Sequence, residues 1–144
     1  MGTVIAVCRS ERKGTAKKNI TKGLFKKNYG LAGDAHAGNW HRQVSLLSYE
    51  QVQIFRARGI TIEEGAFGEN LLVSGIDFKL LPLGTKLKCN TVALEVTQIG
   101  KECHSGCAIY KAVGDCIMPR EGIFARVLQG GEITVGDTLC VWEG

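Results

Sequence analysis

Three of the chain's six cysteines fall within residues 100–126, GKECHSGCAIYKAVGDCIMPREGIFAR, together with His104 and the cations Lys101, Lys111, Arg120 and Arg126. A thiol acts as nucleophile, sulfur carrier or metal ligand only as thiolate, and neighbouring positive charge stabilises that form. Cys103, two residues after Lys101 and beside His104, is the position where type and setting best match that chemistry. Cys8 and Cys140 lie in apolar runs and are expected to stay protonated and inaccessible.

Cys103, His104, Cys107 and Cys116 also make four potential metal ligands. The spacing Cys103-x3-Cys107 suits zinc, but adjacent Cys103 and His104 cannot readily turn to one ion. A catalytic dithiol prefers C-x-x-C, which is absent. Elsewhere, Asp34 and His36 stand two apart in a glycine-rich stretch, a spacing that fits an oriented imidazole, a metal ligand pair, or simply a turn. Glu69 and Asn70 follow Gly65 and Gly68 and are placed at the rim of a site or at the end of a turn. The sequence has no phosphate-loop, dinucleotide-binding, serine-hydrolase or zincin signature.

The elements that must position these residues are mostly short strands. Residues 3–8 (TVIAVC) are a β-branched run read as a buried first strand, and residues 20–25 as an edge strand. Residues 42–47 read as a strand leading into a helix at 49–58, with Ser48 and Gln51 as a capping box and Gly59 after the last turn. Strands follow at 68–73, 85–88 and 91–99, the last alternating Val92, Leu94, Val96 against Ala93, Glu95, Thr97. It delivers the chain to Gly100, so the thiol segment starts at a strand end. Residues 108–113 suit one or two helical turns, 123–128 a strand or short helix, and 133–141 a closing hairpin. Many short strands with one or two short helices predict a mainly β, closed, barrel-like fold.

At 144 residues, 44% hydrophobic and 22% charged, one domain spanning 1–144 is expected. Charge is uneven: residues 1–30 carry a net +7 and residues 31–144 a net −3. The cations of residues 9–27 either face an anionic cofactor or form a solvated loop; no aromatics interleave with them, so nucleic acid is not the expected partner. No apolar run reaches the roughly 18 residues of a membrane span, and TVIAVC is too short for a signal peptide. A cytoplasmic location with reduced cysteines is the expectation.

The blocks GDAHAGNWHRQVSLLS, GENLLVSGID, LPLGTKL, LEVTQIGKECH, CIMPREGIFARVLQGG and ITVGD, in order from Gly33 to Asp137, resemble those of the MOSC family, named after the C-terminal part of molybdenum-cofactor sulfurase. The resemblance implies a β-barrel-like fold and a pocket for molybdenum cofactor (molybdopterin), an anionic pterin. It makes Cys103 the thiol that ligates molybdenum or relays sulfur, and gives Lys101, His104, Arg120, Arg126, Asn70 and His36 to cofactor binding. The chain has no aminotransferase-like domain, so no pyridoxal phosphate is expected in it; sulfur would come from a cysteine desulfurase or through molybdopterin-biosynthesis proteins. The alternative is a non-enzymatic metal-binding or redox-sensing module built on Cys103, Cys107 and Cys116.

Overall fold

The structure is a computed structural model that describes residues 1–12, 17–35, 37–59, 61–99 and 122–142, apart from the side chain of Lys79. Its centre is a closed barrel of seven strands: β1 (Gly2–Arg9), β5 (Val44–Ser48), β6 (Leu71–Ser74), β7 (Lys86–Cys89), β8 (Val92–Ile99), β9 (Ile123–Gln129) and β11 (Thr138–Val141). Around the barrel the order is β1, β6, β5, β9, β8, β7, β11, and β11 closes it by pairing antiparallel with β1 through Gly2↔Leu139 and Thr3↔Thr138. Closure removes free strand edges, which is how a small all-β domain avoids edge-to-edge association. Inward-facing Val4, Val7, Leu46, Leu71, Leu87, Leu94, Val127 and Leu139 are fully buried and fill the interior.

Among the described residues only β5 and β6 run parallel, and a parallel pair requires a crossover. Here α1 (Tyr49–Ala57) and the loop after it supply one. Val52 and Phe55 on the helix, with Ile62 and Phe67 from the loop, bury a second cluster on Ala6, Leu47 and Leu72 outside the barrel. Phe55 and Phe67 meet edge to face, 5.7 Å between centroids.

A three-stranded sheet of β10 (Gly131–Thr134), β3 (Lys22–Lys26) and β4 (Gly30–Leu31) flanks the barrel, and β2 (Lys18–Asn19) extends the end of β1. The segment at 20–25 is therefore not an edge strand, because β3 is bracketed by β10 and β4. Nor do residues 133–141 form a hairpin. The chain does turn, at Gly136 (φ 97°), where Asp137 Oδ2 accepts from Thr134 N (2.8 Å), but β10 then belongs to β3 while β11 belongs to β7 and β1. Local turn chemistry specifies a reversal of direction and leaves the partner strand open.

The helix begins at Tyr49 as expected, yet Ser48 makes no side-chain cap. Its hydroxyl donates to the Ile76 carbonyl and accepts from Phe78 N (3.4 Å), so a tertiary bond has displaced the local one. Two bulges bend β8 against β9, at Ala93/Leu94 and at Val96/Gln98. The second re-aims Thr97 and Gln98 toward the segment that precedes β5.

Candidate functional site

Asn70, immediately before β6, is the hub of a buried polar network at one end of the barrel and is 2% exposed. Its Nδ2 donates to the Cys8 carbonyl (3.0 Å) and to Asp34 Oδ2 (3.1 Å), and its Oδ1 accepts from Ser45 N (2.9 Å). Three strand ends, β1, β5 and β6, are thereby tied through one side chain. Asp34 is equally enclosed: its Oδ1 accepts from Ser10 N (3.1 Å) and from Lys17 Nζ (2.6 Å), an ion pair whose side chains are 3% and 0% exposed. Burial lowers the Lys17 pKa from its ordinary value, and the bond to Asp34 opposes that shift. Lys17 is thus no solvated lysine, unlike Lys18, Lys22, Lys26 and Lys27, which are exposed. Gly65 (φ 87°) lets the Lys17 backbone approach; a Cβ there would strike the Lys17 carbonyl oxygen.

Glu69 lies beneath the network, fully buried rather than at a rim, and accepts from Gly65 N (2.7 Å) and Phe67 N (3.1 Å). Burial pushes its carboxyl up to about 7, against the opposing effect of those amides. Burial, with Glu69 second, also raises the Cys8 thiol far above its ordinary value. Because folded Glu69 holds its proton more tightly than the unfolded chain does, its contribution to stability is complete below pH 4.5 and is lost as pH rises through about 7. Urea unfolding between those limits is expected to show a decline on the order of 2–3 kcal/mol. Glu69→Gln should flatten it; an equally steep decline in that variant would assign the pH dependence elsewhere.

Above the network opens a small cleft lined by Lys17, Trp40, Arg42, Ser45, Asn70 and Phe124. Arg42 is held over two aromatic faces, its guanidinium carbon 5.9 Å from the Trp40 centroid and 5.3 Å from that of Phe124. Its Nε donates to Gln98 Oε1 (2.9 Å), the residue aimed by the β8 bulge. A guanidinium N–H only donates, so the Gln98 atom facing it is oxygen, and His41 Nε2, 2.9 Å from the same atom, must carry its proton. A guanidinium backed by two aromatic rings, with the Asn70 amide in the same cleft, suits an anionic group.

Trp40 is also the wall of a second, open cleft lined by Asn39, His41, Gln43, Glu95 and Arg126. Arg126 stands there, its Nε and Nη2 both on Glu95 Oε1 (2.8 and 2.7 Å). Of the residues singled out in the sequence, then, Asn70 lines the first cleft and Arg126 the second, while Cys103, Lys101, His104, Arg120 and His36 lie outside the described residues, as do Cys107 and Cys116. No cluster of three His, Cys, Asp or Glu side chains suited to a metal occurs among the described residues. Cys140 is half-buried rather than inaccessible, with Sγ 3.7 Å from the Lys88 carbonyl, whereas burial pushes the Cys89 thiol up to about 11.

Trp40, Arg42 and Ser45 were not singled out in the sequence, and Lys17 stood only among the cations of residues 9–27, left between facing an anionic cofactor and forming a solvated loop. A signal was present: an aromatic and a cation directly before a buried strand, NWHRQVSLL, are carried by a rigid element.

The chain is thus a closed β barrel with one crossover helix and an aromatic-walled cleft at one end. The MOSC domain model matches residues 33–140, and the chain belongs to the MOSC family, which is associated with the molybdenum cofactor. No curated protein matches the chain significantly. Among solved structures it is similar to YuaD from Bacillus subtilis (TM-score 0.77, 22% identity, 96% of this chain and 94% of that one). It also resembles YiiM from Geobacillus stearothermophilus (0.76, 20%, 99% and 76%) and YiiM from Escherichia coli (0.64, 17%, 99% and 69%). At these identities the likeness shows the fold. No described helix is long and apolar enough to cross a membrane.

Proposed function

We propose that this MOSC domain holds the molybdenum cofactor in the cleft of Trp40, Arg42 and Asn70, and that Cys103 is the thiol that ligates its metal or relays sulfur to it. The supporting observation is Arg42, fixed between two aromatic faces with its Nη groups uncommitted among the described residues. Arg42, backed by the Trp40 and Phe124 rings, attracts the anionic part of the ligand, and Asn70 fixes the cleft floor. Arg126 serves at the rim, and Lys101, His104, Arg120 and His36 complete the binding set in this reading. When bound, the cofactor supplies a soft, sulfur-liganded metal centre, for which a thiolate is a matched ligand. In this reading the protein is cytoplasmic and receives sulfur from a cysteine desulfurase or a molybdopterin-biosynthesis partner.

Native alkylation tests the thiol. Iodoacetamide at pH 7 is expected to modify Cys103 first and Cys140 more slowly, and to spare Cys8 and Cys89, whose buried thiols resist ionisation. Bound cofactor should protect Cys103. Modification of Cys140 ahead of Cys103, or no protection, would remove Cys103 from this role.

A further inference from the structure

The described arginines differ in what they leave free. Arg126 puts Nε and Nη2 on one carboxylate, and Arg56 commits Nε, Nη1 and Nη2 to the Ile62 carbonyl and Gln53. Arg58 lies over the Phe55 ring (5.1 Å) with no hydrogen bond from its side chain among the described residues. Arg42, in the first cleft, combines the two situations. Its Nε is bound to Gln98 Oε1 (2.9 Å), while Nη1 and Nη2 have no partner among the described residues.

An irregularity of the sheet brings Gln98 there. Val96 pairs with Ala125, and both belong to the barrel core, so regular alternation would send Gln98 inward as well. The bulge between Val96 and Gln98 sets Gln98 opposite Phe124 instead, on the outer face. One cross-strand position therefore supplies both the acceptor for Arg42 Nε and the ring 5.3 Å from the guanidinium carbon. Gln98 Oε1 is itself fixed by a second donor, His41 Nε2 (2.9 Å). An aromatic contact restrains the guanidinium plane but not its rotation within that plane. A hydrogen bond at Nε removes that rotation and turns the Nη1–Nη2 edge away from Gln98.

We propose that Gln98 is a positioning residue of the first cleft: by holding Arg42 Nε it presents Nη1 and Nη2 end-on to an oxyanion that carries two oxygens on one atom, as a phosphate monoester does. The proposal rests on the reading of this cleft as an anion site and adds how the anion is addressed. Gln98 acts through Arg42.

The test is a titration of the full chain with inorganic phosphate at low salt, followed by calorimetry and by the Arg42 Nε–H resonance. Gln98→Met, which keeps the length and removes the acceptor, should weaken phosphate about fivefold to tenfold while unfolding at the wild-type temperature. Added to Arg42→Met, the same change should alter the residual affinity by less than about twofold, because its effect runs through the guanidinium. A glutamine with a structural role alone would weaken both backgrounds alike. In wild type, the Arg42 Nε–H should exchange with water at least about tenfold more slowly than that of Arg58, whose ring contact has no accompanying hydrogen bond. Should Gln98→Met fail to fold, this exchange comparison decides. Phosphate affinity unchanged by Gln98→Met, equal losses in both backgrounds, or equal exchange at Arg42 and Arg58 would overturn the proposal and leave Arg42 in its anion site. No phosphate binding by wild type would overturn both.

Discussion

Asn70→Ala is expected to lower stability by about 3–5 kcal/mol, because it leaves several buried groups unpaired at once. The Cys8 carbonyl, Asp34 Oδ2 and Ser45 N each lose their side-chain partner, in a place where water cannot substitute without opening the ends of β1, β5 and β6. The Ser45 hydroxyl, 2.9 Å from the Gly68 carbonyl and 3.1 Å from Asn70 Oδ1, has one proton for two acceptors and keeps the first. Asn70→Asp should be at least as damaging: it preserves shape but removes both donors and sets a second carboxyl against Asp34. Urea unfolding followed by circular dichroism measures both. A loss under about 1 kcal/mol for Asn70→Ala would mean that the network is incidental to the barrel's stability.

Lys17→Met is expected to cost a comparable amount, about 3–5 kcal/mol, since removing one member of an enclosed ion pair strands the other. Asp34 would keep the Ser10 and Asn70 amides but no neutralising charge. Adding Asp34→Asn should restore part of the loss, giving a coupling of about 2 kcal/mol in the double-mutant cycle, whereas the exposed pair Lys22–Glu132 (3.8 Å) should show less than about 1. Additive losses at Lys17 and Asp34 would contradict a direct buried pair.

β1 was legible as a β-branched run and β8 as an alternating one, each within a residue of its expected limits, while 123–128, left between strand and short helix, forms β9. The helix was legible from Tyr49, Val52 and Phe55, its inward stripe. What sequence left hidden was pairing at a distance. A reversal at Gly136 could not disclose that β10 crosses to β3, and Ser48 before a helix could not disclose Ile76 as its partner. The candidate site was half legible for the same reason. Asn70 stood out by its glycine setting, but Lys17 could not be told from the other cations of residues 9–27, because the carboxylate that buries it lies 17 residues away. Arg42 belonged to a block that was read as a whole, and its aromatic clamp draws on Phe124, a residue of another strand.

Molybdenum and pterin content per chain, measured on protein purified without oxygen, tests the central claim most directly. Wild type is expected to carry both in near-stoichiometric amounts. Arg42→Met, which keeps the fold and loses the clamped cation, and Cys103→Ala should each carry at least about tenfold less while unfolding at the same temperature as wild type. Wild type without molybdenum or pterin, or both variants loaded as fully as wild type, would contradict the assignment of this cleft and this thiol to the cofactor.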